Sequence, residues 1–430
     1  MKVYVNPPRN RWAKLCERPS IDRENLSSTV GSIMSAVKEN GDAQLLAYAL
    51  EFDKTELNEV SVTPSEMEQQ AATVAPALQE AIQQAAANIE KFHKAQRSTP
   101  EKITTTPGVT CWRKQLPIQR VGLYVPGGTA PLFSSLLMLA IPAKLAGCKT
   151  IVVCTPPNQE GSIAPEIAYC CQLLGLEQVF KVGGAQAVAA MTFGTESISK
   201  VDKIFGPGNQ YVTRAKEMSL NYGLAIDMPA GPSEVLVVAD KNANPEFVAA
   251  DLLSQAEHGS DSQVILVGDD LKTIGDVLVI VNEQVEKLPR VALAKEALKN
   301  SKALVFDDLD TCMEFSNNYA PEHLILALRE DDHWAEKVTV AGSVFMGNYT
   351  PESAGDYASG TNHTLPTNGY ARQYSGVSLD SFVNKVTFQQ ISAQGIQKLG
   401  PIIETMAKAE GLEAHKNAVT VRLNALKNGN

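Results

Sequence analysis

The sequence lacks the features that direct a chain to nucleic acid or into a membrane. Its 38 basic and 48 acidic residues give a net charge of −10, and it contains no basic run. We therefore expect neither nucleic acid nor an anionic membrane surface as a partner, because both require clustered positive charge. No stretch reaches the roughly 18 apolar residues of a membrane span, and the N-terminal residues have no apolar core like that of a signal peptide. These absences predict a cytoplasmic protein.

Cysteine is sparse and irregularly placed. The chain has seven cysteines, an odd number, and no CxxC pair. Adjacent Cys170 and Cys171 lie on an apolar helix face, which is typical of small buried side chains in a reducing compartment. We expect no disulfide framework. The 430 residues, 44 % of them hydrophobic, are enough for two domains with apolar cores.

Helical periodicity follows an N-terminal arm that we expect to pack on something larger. The pattern is helical from Arg23 to Phe52. Apolar residues then recur at intervals of three and four from Met67 to Phe92, although Pro76 is expected to kink or restart the helix. His93, which closes this region, is predicted to be a surface residue.

Strand, glycine turn and helix alternate through residues 121–232, and a second unit of the same kind begins at Glu234. This alternation predicts an α/β fold with mostly parallel sheets and a ligand cleft between the two units. The turn that starts at Gly206 is close to a dinucleotide fingerprint, but Tyr211 stands where the third glycine belongs. Asp227 is assigned to a strand end. From Ser378 the chain is predicted to be helical to its end.

Gln255 and His258 form a candidate metal-ligand pair. They are three residues apart near the predicted end of a helix, which places them on one face, and Gly259 is predicted to stop that helix. A polar helix end with a satisfied histidine is the alternative for an isolated pair. Histidine usage favours a site, because five of the six histidines lie from residue 258 onward, and four of these lie in the polar stretches of interest: His258, His323, His363 and His415.

Three further polar stretches have little packing work to do, which favours a site. They are Tyr319–Leu324, Pro351–His363 and Ala409–His415. Glu322 and His323 begin an apolar strand, so they can serve one site only where the strand is just starting, since adjacent strand residues point to opposite faces. Asp356 and His363 lie among small polar residues, in the kind of loop that usually carries function. A solvated loop with a capping glutamate is the alternative for each stretch taken singly.

Together these stretches closely resemble the histidinol dehydrogenase family over essentially the whole chain. The matching segments are GLYVPGGTAPLFSSLLMLAIPA (122–143), KVGGAQAVAA (181–190), DKIFGPGN (202–209), DMPAGPSEVLV (227–237), DLLSQAEHGSDSQ (251–263), APEHL (320–324), ESAGDYASGTNH (352–363) and AHKNAV (414–419). The resemblance implies two incomplete Rossmann-like domains and a homodimer whose active sites are shared between subunits. The implied limits are 1–22 for the N-terminal arm, 23–122 with 233–377 for the first domain, 123–232 for the second, and 378–430 for a helical C-terminal tail.

The resemblance also implies an activity, namely oxidation of L-histidinol through L-histidinaldehyde to L-histidine with NAD as hydride acceptor. It implies one zinc per subunit, with ligands that suit the ion: Gln255, His258, Asp356 and His415. The implied substrate site consists of Ser233, Gln255, His258, His323, Asp356, His363, Glu410 and His415. The implied NAD contacts are Tyr124, Gln186 and Asn209.

The residues themselves suggest roles in this chemistry. An alcohol releases its proton at neutral pH only to a base with a pKa near 7, and His323 is the candidate. The aldehyde must first add water, which adjacent Glu322 can activate. Zinc would mainly position the substrate. A cysteine thiohemiacetal, formed with Cys111 or Cys148, is the alternative for the second step.

Two other classes of function remain open on the residues alone. One is a zinc hydrolase that uses Glu322 and a metal-bound water without any nicotinamide. The other is a non-catalytic metal-binding module. Formation of NADH from histidinol and NAD separates both from a dehydrogenase.

Overall fold

Three β-sheets and the helices around them form the fold. The computed structural model describes residues 1–19, 23–127 and 131–428. Within these residues the strands, numbered in chain order, are β1 Lys2–Val5, β2 Lys102–Thr106, β3 Val109–Pro117, β4 Arg120–Tyr124, β5 Thr150–Thr155, β6 Gln178–Lys181, β7 Lys203–Phe205, β8 Ala225–Ile226, β9 Glu234–Ala239, β10 Gln263–Gly268, β11 Lys302–Val305, β12 His323–Ala327, β13 Ser343–Met346 and β14 Val383–Ile391.

Helices connect and cover these strands. They are α1 Trp12–Leu15, α2 Arg23–Tyr48, α3 Pro64–Ala71, α4 Pro76–Lys94, α5 Phe133–Ala146, α6 Pro165–Leu174, α7 Gly184–Phe193, α8 Gln210–Ser219, α9 Pro245–Ala256, α10 Leu271–Val285, α11 Val291–Lys299, α12 Leu309–Tyr319, α13 Asp331–Ala335, α14 Glu352–Tyr357, α15 Ala393–Ala409 and α16 Glu413–Lys427. Short 3-10 segments occupy Arg9–Arg11, Leu220–Tyr222, Tyr370–Arg372 and Leu379–Phe382, and a π segment occupies Ala49–Asp53. In the described part of the chain, none of these helices has the length and hydropathy needed to cross a membrane.

The first α/β unit contains a five-stranded parallel sheet in the order β6-β5-β4-β7-β8. Helices α5 and α6 cover one face, and α7 and α8 cover the other. Helix α5 is buried around its whole circumference from Ser134 to Ala143, because it packs between the sheet and α4. Parallel strands covered on both faces have continuous apolar sequences, which explains why this unit is visible in the sequence.

The second unit contains a six-stranded parallel sheet in the order β1-β11-β10-β9-β12-β13. Helices α9, α10 and α11 cover one face, and α1 and α12 cover the other. The N-terminal arm supplies the edge strand, since β1 pairs with β11 and Lys2 lies opposite Lys302. The arm therefore extends a sheet of its own subunit. The mostly parallel α/β fold expected from the sequence is confirmed.

A third, antiparallel sheet in the order β14-β3-β2 was not expected. The prediction of a continuous helix from Ser378 is wrong for Val383–Ile391. This segment is a strand that pairs with β3 along its whole length, with Val383 opposite Pro117 and Ile391 opposite Val109. Most side chains of β14 are exposed, so this strand has no buried stripe that would identify it. Helices α15 and α16 follow it and form the helical tail.

Helices α2, α3 and α4 pack beside the five-stranded sheet, on α7, α6 and α5 respectively. Helix α4 restarts at Pro76, as predicted, because a proline in the first turn lacks an N–H that the helix would not use there. The predicted domain limits, which join residues 23–122 to 233–377, stay a prediction. The packing associates residues 23–94 with the sheet of the other predicted domain.

The prediction that His93 is a surface residue is wrong. His93 is fully buried and its Nδ1 lies 2.9 Å from the carbonyl oxygen of Ile89, whereas Phe92 is 47 % exposed. The apolar stripe of α4 runs through Ile82, Ala85 and Ile89, and the next position at helical spacing is His93. Burial lowers the pKa of this imidazole.

Candidate functional site

A cavity of about 960 Å³ lies where the two α/β units meet. Its lining combines the turn after β7, which includes Asn209, with Ser233 just before β9 and His258 just after α9. The cleft expected between the units thus brings together one predicted NAD contact, one predicted substrate contact and one predicted metal ligand. A cavity of this size is sufficient for a small-molecule ligand.

A group of potential metal ligands lies beside this cavity. One donor atom each of His258, Glu352 and Asp356 lies within 4.8 Å of the other two. Glu352 and Asp356 are four residues apart on α14, so their carboxylates share one helix face. Glu352 is 1 % exposed and its Oε2 has no hydrogen-bond partner among the described residues. We call these three residues the ligand cluster.

His258 reaches the cluster from a loop rather than from a helix. Helix α9 ends at Ala256, with Glu257 as its C-cap, so the prediction that the helix continues to Gly259 is wrong. Gln255 remains in the last turn and is buried. Assigned by its hydrogen-bond partners, its amide donates to Glu352 Oε1 and accepts from the backbone N–H of Glu234 at 3.2 Å.

His323 lies next to the ligand cluster and faces Asp356. Its Nε2 is 3.5 Å from Asp356 Oδ1, and this nitrogen has no hydrogen-bond partner among the described residues. Its Nδ1 faces the backbone carbonyl of Glu234 at 3.3 Å. Because a carbonyl only accepts, Nδ1 carries the proton in the neutral ring and Nε2 is the basic nitrogen.

Carboxylates control the protonation of His323. Burial alone would lower its pKa, but Glu352, Glu322 and Asp356 outweigh that effect and raise the pKa to about 10. Nδ1 lies 3.6 Å from Glu322 Oε2 and 3.9 Å from Glu352 Oε1. Without a bound cation, the imidazole is therefore held as the positive partner of a negatively charged site.

Glu322 is the second predicted catalytic residue, and like His323 it contacts the backbone of Glu234. Its Oε2 accepts from the backbone N–H of Glu234 at 2.9 Å. Burial raises the pKa of Glu322 to about 8, and burial likewise raises the pKa of Glu352 to about 8. A carboxylate with a pKa near neutral accepts a proton more readily than an exposed glutamate does.

His363 is held by two protein groups. Its Nδ1 lies 3.0 Å from the backbone carbonyl of Asp356, and its Nε2 lies 2.8 Å from Ser135 Oγ on α5. Nδ1 is therefore the donor, and the Ser135 hydroxyl donates to Nε2. Burial lowers the pKa of His363. These contacts join the loop after α14 to the five-stranded unit.

A buried ion pair supports β9 and the segment that leads into β12. Arg18 binds both carboxylate oxygens of Glu234, at 2.7 and 2.9 Å, and also donates to the carbonyl of Tyr319 at 2.7 Å. Its guanidinium lies 3.9 Å from the centre of the Tyr319 ring. The next residue, Ala320, has a left-handed φ of 57°, a conformation that costs a non-glycine residue about 1–2 kcal/mol. Arg18 thus fixes the backbone that leads into Glu322.

The three predicted NAD contacts lie beside glycine turns of the five-stranded unit. The Tyr124 hydroxyl, at the end of β4, accepts from the N–H of Gly184 at 3.1 Å, and Gln186 is buried in the first turn of α7. Asn209 caps α8 by accepting from the N–H groups of Tyr211 and Val212.

The turn at Gly206 is built differently from a dinucleotide fingerprint. A Cβ at Gly206 would lie 2.1 Å from the carbonyl oxygen of Tyr124, so close backbone approach requires glycine there. Asp227 follows β8, at a strand end as predicted, and accepts from the N–H of Gly206 at 2.8 Å. Asp227 also forms a buried ion pair with Lys216 at 2.6 Å. This acid therefore holds the turn.

Two predicted site residues are not part of the cluster in this single chain. Glu410 follows α15 and His415 lies in α16, and both are exposed. Helices α15 and α16 pack on each other, and α15 also packs on β14.

Glu352, Glu234 and Arg18 are the site residues that sequence reasoning missed. The signal for Glu352 was present, because it precedes Asp356 by four residues and both are acidic. Glu234 and Arg18 gave no signal, since they are 216 positions apart and meet only through the fold.

The two cysteines considered as nucleophiles do not contact the cluster. Cys148 donates to the carbonyl of Phe382 at 3.8 Å, and burial raises its pKa to about 12. Cys111 lies in β3 of the antiparallel sheet, opposite Gln389. A thiol with a raised pKa is a poor nucleophile, so the structure does not favour the thiohemiacetal route.

Comparison with known proteins gives one consistent result. A family model described as histidinol dehydrogenase matches residues 16–423. The histidinol dehydrogenase of Bacteroides thetaiotaomicron is 55 % identical over 427 residues, covering 99 % of this chain and 100 % of that protein. The histidinol dehydrogenase of Shigella sonnei is 51 % identical over 417 residues, covering 96 % of this chain and 95 % of that protein. A crystal structure of histidinol dehydrogenase from Elizabethkingia anophelis matches with a TM-score of 0.97 and 56 % identity, covering 99 % of both chains.

Proposed function

The chain belongs to the histidinol dehydrogenase family, and from this premise we propose the residues and cofactors with which it works. It is an NAD-linked oxidoreductase of the final steps of histidine biosynthesis. We propose that it oxidises L-histidinol to L-histidinaldehyde and then to L-histidine, using one NAD for each step. The observation that carries this proposal is the orientation of His323, whose free Nε2 lies beside the ligand cluster.

The ligand cluster fits the zinc that the family implies. It combines imidazole with two carboxylates, and a cation held beside Glu352 would offset the charge of that buried carboxylate, although Glu352 is not itself one of the proposed ligands. We propose that zinc is held by Gln255, His258 and Asp356, together with His415 of the partner subunit, one ion per subunit. When bound, zinc supplies positive charge that offsets the carboxylates and fixes the substrate's imidazole and amino nitrogens.

His323 is proposed as the base of the alcohol oxidation, because the positive charge of bound zinc would offset the carboxylates that otherwise keep this imidazole protonated. The hydroxyl proton passes to Nε2, because Nδ1 keeps its proton in the hydrogen bond to Glu234. The carbon–hydrogen bond breaks with both electrons, and NAD, when bound, accepts that hydride in each of the two steps.

Glu322 is proposed as the base that activates water in the second step. The aldehyde carbon must gain an oxygen before it can lose another hydride, so water adds to it while Glu322 takes the water proton. The raised pKa of Glu322, about 8, matches this role. As water adds, His323 returns the proton it took in the first step to the carbonyl oxygen, which frees Nε2 to accept the proton of the hydrated aldehyde as the second hydride leaves.

The remaining predicted contacts complete the proposed site. Ser233 lines the cavity and His363 stands on the backbone of Asp356, so both are proposed to contact the substrate. Tyr124, Gln186 and Asn209 are proposed to contact NAD, with Asn209 already at the cavity wall.

A homodimer with shared active sites is proposed to bring Glu410 and His415 to the cluster. Exposed apolar side chains on the tail support this proposal, because an apolar helix face is stabilised by a partner that covers it. They include Ile402 at 55 %, Met406 at 60 % and Val421 at 50 % exposure.

We propose that the enzyme works in the cytoplasm. All seven cysteines are free thiols in the described chain. Free thiols persist in reducing compartments.

One experiment tests the proposed function. The enzyme is incubated with L-histidinol and NAD, and NADH and L-histidine are both measured. We expect two NADH per histidine and little aldehyde captured by a carbonyl reagent. Absence of NADH would indicate a hydrolase or a binding protein instead, and abundant captured aldehyde would contradict a single site that serves both steps.

A further inference from the structure

A second cavity, of about 490 Å³, lies between the N-terminal arm and the start of β11. Glu17 is the acidic residue among the described residues that line it. Six basic residues also line it: Lys2, Arg11, Lys14, Arg18, Lys299 and Lys302. The whole chain has a net charge of −10, so this concentration of positive charge opposes the overall balance. We call this space the basic cavity.

Among the described residues, four of the six cations form no ion pair with a carboxylate. Arg18 is paired with Glu234 and Lys299 with Glu296. Lys302 Nζ donates to a neutral acceptor, the carbonyl of Glu17, at 3.2 Å. Among the residues that the structure describes, Lys2, Arg11 and Lys14 form no ion pair with a carboxylate. Like charges that converge without a counter-charge repel one another, and a bound anion would remove that repulsion.

Lys302 is the partly buried lysine of this wall. Its side chain lies only partly in solvent, and burial lowers its pKa; Cys16 and Glu17 partly offset that effect, and Arg18 lowers the pKa by a smaller amount. A half-buried ammonium whose hydrogen-bond acceptor is a backbone carbonyl gains more from an anion than a fully hydrated lysine does.

We propose that the basic cavity binds a small phosphorylated anion. Lysine and arginine supply several N–H donors to phosphate oxygens, and Tyr4 and Asn300 add polar groups to the same wall. The volume suits a small metabolite. Nucleic acid does not fit, because the cations surround a cavity instead of forming a continuous basic surface on this acidic chain.

The basic cavity is separate from the catalytic cleft. Arg18 and Pro19 line both spaces and form the wall between them. The guanidinium of Arg18 is already held by Glu234, so the unpaired lysines are the expected contacts of the anion. Lys2 and Lys14 line the basic cavity and not the cleft, which allows their substitution to test this site alone.

Equilibrium dialysis of the full-length enzyme against radiolabelled inorganic phosphate tests the proposal, at low ionic strength and with saturating NAD. We expect saturable binding of one phosphate per subunit. The double variant Lys2→Gln/Lys14→Gln should weaken binding about ten-fold or more, since it removes two charge-assisted contacts to the anion. The control variant Lys241→Gln/Lys287→Gln removes two exposed lysines elsewhere and should change affinity by less than about two-fold.

Parallel titrations identify the form of the anion. If ribose 5-phosphate binds more tightly than inorganic phosphate while ribose does not bind, the ligand is an organic phosphate; equal affinities indicate free phosphate. Melting curves establish that the variants are folded, and Arg11→Gln replaces the double variant if that one is not. The proposal is overturned by absence of saturable binding in the presence of saturating NAD, or by equal weakening in both double variants.

Discussion

The ligand cluster and the C-terminal tail carry residues proposed for one site, but the cluster is buried within one chain whereas the tail residues are exposed. His323 is 4 % exposed and Glu352 1 % exposed, and both are surrounded by groups of their own chain. His415 lies exposed on α16. The buried part is assembled when one chain folds, because its partners are β9, β12 and α14 of that chain. In the proposed homodimer, the tail residues reach the cluster only in a second step, the association of two subunits.

The largest expected effect tests the buried part through its metal. His258→Asn removes the imidazole of the cluster, so zinc content and turnover should fall together, turnover by about 10²-fold or more. Metal analysis and NADH formation are measured on the same sample. His333→Asn, which changes an exposed histidine on α13, should leave both unchanged. Full turnover in protein shown to be zinc-free would contradict the assignment.

A smaller and selective effect separates the two residues that Glu234 holds. Glu322→Gln should slow oxidation of supplied histidinaldehyde about 10²-fold, because the water-activating base is lost, and slow the alcohol step less. His323→Ala should slow both steps. Stopped-flow measurement of each half-reaction checks this division. Equal losses in both steps for the glutamate variant would show that Glu322 has no special role with water.

Mixed dimers test the proposed origin of the tail residues. His323→Ala and His415→Asn dimers should each be inactive. In co-refolded mixtures, half the dimers are mixed and each mixed dimer has one intact site, so about a quarter of wild-type activity should return. NADH formation is assayed after mass spectrometry confirms subunit exchange. If exchange is confirmed and no activity returns, His415 completes the site of its own subunit.

The smallest expected effect concerns the ion pair behind the cluster. Arg18→Lys loses the two-point contact with Glu234 and should lower the free energy of unfolding by about 1–3 kcal/mol, with a decrease in kcat larger than any change in KM. Arg9→Lys, at an exposed pair with Glu314, should change it by less than about 0.5 kcal/mol. Urea unfolding and steady-state kinetics measure both. Equal stability of the two variants would mean that burial of the Arg18 pair adds nothing.

The sequence was sufficient to predict a strand or helix where burial imposes a recognisable pattern of apolar residues. Parallel strands such as Glu234–Ala239 are buried on both faces and appear as continuous apolar runs. Helix α4 was identified by its spacing, although the stripe included His93, which a polarity argument assigns to the surface. The exposed strand β14 was missed because its pairing with β3, and not burial, stabilises it.

The site was only partly predictable for a related reason. His258, His323 and Asp356 lie in stretches whose polarity stands out from their surroundings, so local sequence finds them. Glu234 sits at the head of an apolar strand and contributes backbone groups, which carry no residue identity. Its contact with Arg18 depends on how the N-terminal arm joins the sheet, which local pattern does not reveal.

The peptide groups of Glu234 have a further consequence for genetics. Its N–H holds Glu322 and its carbonyl holds His323, and no amino-acid substitution except proline deletes a backbone N–H. A mutational scan that changes side chains would therefore leave these two contacts almost unaffected. Their importance would be detected only indirectly, as loss of activity on substitution of Arg18 or Tyr319, whose side chains donate hydrogen bonds to the Glu234 carboxylate.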